Sequence, residues 1–155
     1  MVHEALLSRT PILAANIHPI PTEGMTPDEA ARAYEHTLQS FYGATELDQA
    51  RTLFDVTFLG LGNDGHTASL FPGSAALLER TRWTVAVSGP TPEPRISLTY
   101  RALESSRHVA FLVSGPEKRA VFERIRHGDQ ELPAARLKPT GELRWFVDAA
   151  AAGSR

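Results

Sequence analysis

The sequence predicts an α/β layered domain. Three segments, residues 54–61, 83–87 and 109–113, are short apolar runs with the character of strands buried in a parallel sheet, and helical patterns alternate with them. Crossover helices must cover both faces of such a sheet, so alternation of this kind implies layers. At 155 residues the chain has the length of one domain with a sizeable core.

In chain order, residues 2–7 read as the end of a helix, and residues 14–20 as an extended passage closed by Pro19 and Pro21. Thr26, Pro27 and Glu29 form a capping box with proline at the first helical position. Ala30, Tyr34, Leu38 and Phe41 then fall at helical spacing until Gly43. Residues 54–61 read as a buried parallel strand entering a glycine-rich loop. Residues 83–87 carry the same signal. Residues 89–94, with three prolines, exclude regular structure and deliver Arg95 into a short strand, with a small helix after Thr99. Residues 109–113 form a strand, followed by a turn at Ser114-Gly115-Pro116 and a helix through Val121, Phe122 and Ile125 to Gly128. Leu143, Trp145 and Val147 alternate with Arg144 and Phe146 in a last strand. Trp83 and Trp145 lie within strand patterns and are assigned to the core.

Composition narrows the function. Sixteen Lys and Arg against 18 Asp and Glu leave a net charge of -2, without the basic excess that nucleic-acid binding uses. No cysteine is present, which removes thiolate metal sites and thiol nucleophiles and fits a cytoplasmic protein. None of the six histidines pairs with another at helical metal-ligand spacing, so no metal is expected. No apolar run approaches the roughly 20 residues of a membrane span, and Glu4 and Arg9 interrupt any signal-like stretch at the start.

Ligands of open α/β sheets bind beyond the carboxyl ends of the strands, and polar clusters are expected there at residues 62–69, 95–99 and 114–118. In the first, glycines allow a tight turn that exposes N–H groups to an anion, while Asp64 and His66 place a carboxylate beside an imidazole able to accept a proton from water. The glycines do not make a dinucleotide fingerprint, because no acidic residue stands at a strand end about 20 residues on. There is no Walker lysine, and Ser69 lacks the Gly-x-Ser-x-Gly elbow of a nucleophile. Arg95 suits bidentate contact with phosphate, and Lys118 lies in the first helical turn after residues 114–116, where N–H groups already favour an anion. Read singly, Asp64 is a turn cap, His66 a surface histidine, and Arg95 and Lys118 solvated cations. Their shared sheet edge makes them candidates together.

The segment Gly60-Leu61-Gly62-Asn63-Asp64-Gly65-His66-Thr67-Ala68-Ser69-Leu70-Phe71-Pro72 resembles the signature of 6-phosphogluconolactonases. Arg95-Ile96-Ser97-Leu98-Thr99 resembles their second motif and Gly115-Pro116-Glu117-Lys118 their third. The related glucosamine-6-phosphate deaminases share the Asp-Gly-His core but usually not the continuation seen at residues 67–72. The resemblance implies a Rossmann-like, mostly parallel sheet with flanking helices, and a single domain over 1–155 that corresponds to the C-terminal portion of the family domain. It implies cofactor-free and metal-free hydrolysis of 6-phospho-D-glucono-1,5-lactone to 6-phospho-D-gluconate, in the oxidative pentose phosphate pathway. His66 would be the general base, Asp64 its orienting partner, and Gly62, Asn63, Gly65, Arg95 and Lys118 would bind substrate. Ser97 stands where the family usually has Thr, and Leu103-Glu104 where an Ile-Asn pair is common.

Family members also carry an earlier segment with the first strands, a Gly-Gly-Ser/Thr-Pro-type phosphate loop and an Asp-Glu-Arg motif, none of which resembles anything in this chain. An incomplete domain is therefore expected, with an exposed apolar sheet edge through which copies self-associate, whereas the complete family form is a monomer. The competing reading is a non-catalytic fragment or phosphosugar-binding module. A deaminase, releasing ammonia from glucosamine 6-phosphate, is the third.

Overall fold

Helix caps and proline positions account for the first third of the chain in the computed structural model, which describes residues 2–90 and 92–153. Helix α1, Val2–Ala5, is followed by 3-10 turns at Leu7–Arg9 and Ala14–Asn16. The second turn departs from the extended passage expected over 14–20. Proline restricts only the residue immediately before it, so Pro19 and Pro21 extend His18 and Ile20 but leave Ala14–Asn16 free to turn, closed by the Ile17 N–H on the Ala14 carbonyl at 3.1 Å.

Helix α2, Pro27–Tyr42, begins at the expected capping box. The Thr26 N–H donates to Glu29 Oε2 at 2.8 Å, the Glu29 N–H donates to Thr26 Oγ1 at 3.3 Å, and Gly43 ends the helix at φ 77°. Its buried stripe is rotated from the predicted one. Phe41 is 79% exposed, whereas Tyr42 is buried, edge-on to Trp83 with ring centroids 5.6 Å apart. Glu35 is also buried, and it accepts the Arg82 Nε–H and the Trp83 N–H, each at 2.5 Å.

The strands among the described residues are β1 Phe54–Leu59, β2 Thr84–Val87, β3 Arg95–Leu98, β4 Ser106–Val113 and β5 Glu142–Val147. Three of them form a parallel sheet in the order β1-β4-β5, with Leu59 beside Phe111 and Phe111 beside Trp145. The other two pair antiparallel, Thr84 with Leu98 and Val87 with Arg95. Residues 83–87 were expected to add a parallel strand. The connection between β2 and β3 is too short for a crossover, which needs about a dozen residues or more, so the chain folds back as a ribbon. Helices α3 Tyr100–Glu104, α4 Arg119–Arg126, α5 Pro133–Arg136 and α6 Ala149–Ala152 complete the layers. Thr99 caps α3, and the Glu104 carboxylate accepts the Lys138 N–H at 2.9 Å to hold the turn before β5.

The core gathers on one face of the parallel sheet. Leu59, Val109, Phe111 and Val113 are buried there, and Phe111 stacks on Trp145 at 4.0 Å. Trp83 is buried in a second cluster with Leu38, Tyr42, Leu53 and Ala102, between α2 and the ribbon. The opposite face of the parallel sheet is open: Val56, Phe58, Leu112 and Phe146 are 49%, 68%, 54% and 55% exposed. Residues 54–61 were expected to be buried on both sides, but with one face of this edge strand uncovered, only Leu59 of Phe54–Leu59 is buried. No helix among the described residues is long and apolar enough to cross a membrane.

Because β1 and β4 run parallel and adjacent, their carboxyl ends finish at one edge. That edge launches the 60–73 loop from β1 and the 114–118 turn from β4 side by side.

Candidate active site

The 60–73 loop is held by its own residues before any ligand arrives. Thr67 is buried, and its hydroxyl donates to the Gly60 carbonyl at 3.0 Å. The Leu70 N–H closes on the Thr67 carbonyl at 2.9 Å, with Leu70 fully buried. The Ser69 N–H donates to Ser97 Oγ at 3.1 Å, tying the loop to β3. Serine at position 97 thus supplies the hydroxyl that the family's usual threonine would also carry.

Within this frame Asp64 and His66 form a dyad. His66 Nδ1 lies 2.6 Å from Asp64 Oδ1, and the same oxygen accepts the His66 backbone N–H at 3.1 Å. Burial is the largest single influence on the Asp64 carboxyl and pushes its pKa up, but the hydrogen bonds and charge of His66 together outweigh it and leave it below the ordinary carboxylate value. An ionised Asp64 can only accept at this contact, so Nδ1 carries the N–H that donates to it and the neutral tautomer has its lone pair at Nε2.

Gly62 makes this pairing sterically feasible. A Cβ there would stand 2.1 Å from His66 Nδ1 and 2.7 Å from Asp64 Oδ1. Gly62→Ala is therefore expected to break the dyad. Proton NMR of the variant should lose the downfield Nδ1–H resonance of His66, and a retained resonance would show that the loop yields instead.

The glycines were expected to turn N–H groups toward an anion, and the structure corrects this. The Gly62 N–H donates to the His66 carbonyl at 2.9 Å and the Gly65 N–H to the Gly62 carbonyl at 3.0 Å, so both are consumed inside the turn. Gly65 is buried at φ 83°, its carbonyl accepts the Ala134 N–H at 2.9 Å, and a Cβ would meet Leu132 at 2.7 Å. Gly65 thus packs the turn against Leu132 with both its backbone groups bonded within the protein. Sequence reading missed Ala68, the one non-glycine residue with positive φ among the described residues, at 51°. Its N–H has no partner among those residues. An alanine in this conformation gives no local sign of it.

Lys118 arrives from the β4 side, in a 3-10 turn at Pro116–Lys118 just before α4 rather than in the helix itself. Its Nζ donates to Asn63 Oδ1 at 2.6 Å across 55 positions of sequence. A cleft of about 400 Å³ is lined by Phe58, Gly62, His66, Ala68 and Lys118 among others. Asp64 and Asn63 adjoin it through their bonds to His66 and Lys118.

Arg95 does not share that cleft. It lines a neighbouring cavity of about 500 Å³ with Ser69, Thr22 and Met25. Phe71 lies close to both side chains: its ring is 4.6 Å from the His66 ring and 5.8 Å from the Arg95 guanidinium. Phe71 was read only as part of a motif, and no local pattern marks it as a neighbour of both.

The arrangement offers a base with an orienting carboxylate, an ammonium in the same cleft and a second cation in the neighbouring cavity. It suits proton transfer next to a bound anion. The family model described as glucosamine-6-phosphate isomerases/6-phosphogluconolactonase matches residues 1–145. A 6-phosphogluconolactonase from Nostoc sp. is 38% identical over 154 residues, covering 97% of this chain and 63% of the relative. The human 6-phosphogluconolactonase is 42% identical over 153 residues, covering 95% of this chain and 57% of the relative. The crystal structure of the Thermotoga maritima 6-phosphogluconolactonase superposes with a TM-score of 0.77 at 33% identity, covering 94% of this chain and 62% of that one. The chain therefore spans about three-fifths of the length of these relatives.

Proposed function

The chain belongs to the glucosamine-6-phosphate isomerase/6-phosphogluconolactonase family, and from that membership we propose that it hydrolyses 6-phospho-D-glucono-1,5-lactone to 6-phospho-D-gluconate with His66 as general base. The observation that carries the reading is the Asp64–His66 dyad at 2.6 Å in a cleft shared with Lys118.

Water gives a proton to His66 Nε2 as its oxygen bonds to the lactone carbonyl carbon. Asp64, ionised and hydrogen-bonded at Nδ1, stabilises the imidazolium that forms. The tetrahedral oxyanion is met by the N–H of Ala68, a residue of the cleft whose N–H has no partner among the described residues. The ring C–O bond then breaks, and His66 returns the proton to the leaving hydroxyl. A lactone is an activated ester, so no covalent intermediate and no cofactor is required. Lys118 binds the substrate phosphate, and Arg95 supports it from the adjoining cavity.

The test is lactone turnover by the purified chain, with spontaneous hydrolysis subtracted and circular dichroism run on the same sample. Turnover above buffer that His66→Ala abolishes, with the fold retained, sustains the reading. A folded chain without turnover favours the second reading, a phosphosugar-binding module, whose support is that Arg95 and His66 line separate cavities.

The proposed setting is the cytoplasm, with a small phosphorylated lactone as partner. Self-association belongs to the same reading: β1 is an edge strand carrying the exposed Val56 and Phe58. Sedimentation over a range of concentrations is expected to show a dimer, and monomer throughout would remove that part of the reading.

A further inference from the structure

We propose that Asn63 is a positioning residue for the phosphate-binding cation, holding the Lys118 ammonium in the His66 cleft through a neutral acceptor that leaves its charge intact. The proposal rests on the lactonase reading for the identity of the ligand, but its geometry stands apart from turnover.

Lys118 is a long, flexible side chain with three N–H donors. One is used on Asn63 Oδ1 at 2.6 Å, which leaves two for the oxygens of an anion. No carboxylate among the described residues forms an ion pair with Lys118. Yet three acidic side chains lie close in the sequence or at the same edge, and none of them pairs with it. Asp64 is bound to His66. Asp148 accepts the Gly115 N–H at 3.0 Å and the Ala151 N–H at 2.8 Å. Glu117 is folded over Gly115, its carboxylate oxygens 2.5 and 2.6 Å from where a Cβ on that glycine would stand. An amide in place of a carboxylate at position 63 therefore decides whether the ammonium meets an incoming phosphate as a free charge or as half of an ion pair.

The physical consequence is preorganisation. Fixing a lysine before binding removes part of the rotamer entropy that binding would otherwise cost, and a neutral acceptor achieves this without competing for the charge. Aspartate at position 63 would fix the ammonium equally well but neutralise it. Alanine would leave the charge but free the side chain.

Two variants separate these contributions. Asn63→Ala is expected to weaken binding about threefold to tenfold through lost positioning, and Asn63→Asp about tenfold or more through competition for the charge. Both should raise KM while kcat changes less, since neither touches the Asp64–His66 bond. Inorganic phosphate binding, followed by NMR titration of the 62–69 amides, should weaken in the same order, and in a Lys118→Ala background neither variant should have further effect. If phosphate affinity follows this order while no lactone is hydrolysed, the lactonase reading fails and the role of Asn63 stands. If the chain turns over lactone but the two variants match the parent, or alanine is worse than aspartate, the role of Asn63 fails. It fails also if the parent binds no phosphate, or if the effects persist without Lys118.

Discussion

Replacing His66 with alanine is expected to slow enzymatic lactone hydrolysis by about 10²- to 10⁴-fold, the usual contribution of a positioned general base. The effect should fall on kcat more than on KM, because the imidazole acts on water rather than on the phosphate. Asp64→Asn should approach the same loss. It keeps a side chain of the same size but can present an amide donor toward Nδ1, which favours the tautomer whose Nε2 carries the proton and cannot accept one. Steady-state kinetics with the spontaneous rate subtracted measures both. A His66→Ala variant that retains the parent rate, with a parent that is clearly active, would move the base elsewhere in the site.

The second large effect is on stability. Glu35 lies on α2, and its two carboxylate oxygens take the Arg82 Nε–H and the Trp83 N–H at 2.5 Å each, with Trp83 only 1% exposed. Truncating it to alanine leaves the Trp83 N–H buried without an acceptor and Arg82 without its partner. The expected loss is about 2–4 kcal/mol, less than for a wholly buried pair because Arg82 retains some access to solvent. Glu35→Gln keeps an acceptor of the same shape for the Trp83 N–H and should cost less than alanine. Urea denaturation of the three proteins gives the order, and an alanine variant within about 0.5 kcal/mol of the parent would show that water replaces the carboxylate. This contact joins residues 47 and 48 positions apart and has no sequence signature, since a glutamate on a helix reads as a solvated face.

The elements that were legible share one property: their cause lies within a few residues. Thr26, Pro27 and Glu29 specify a helix start because the capping bonds are local, and Gly43 specifies its end because its φ is positive. The Asp64–His66 pair was legible for the same reason, two residues apart in a loop whose turn draws them together. Strand character at 54–61 and 109–113 followed from apolar runs, but the first three residues of β4, Ser106–His108, and the partner and direction of a strand did not. The antiparallel pairing of β2 with β3 depends on the short connection between them and on what lies across it.

The sequence by itself determined the family and the placing of Asp64 beside His66, because a long contiguous motif carries them. Only the tertiary structure decided which cation joins His66 in its cleft: β1 and β4 run parallel and side by side, so Lys118 reaches Asn63 across 55 residues, while Arg95 lines a separate cavity. The physical reason is one of range. Backbone turns and caps are set by neighbours in sequence, whereas the convergence of two loops is set by strand register, and register is chosen by the burial of whole faces rather than by any single residue.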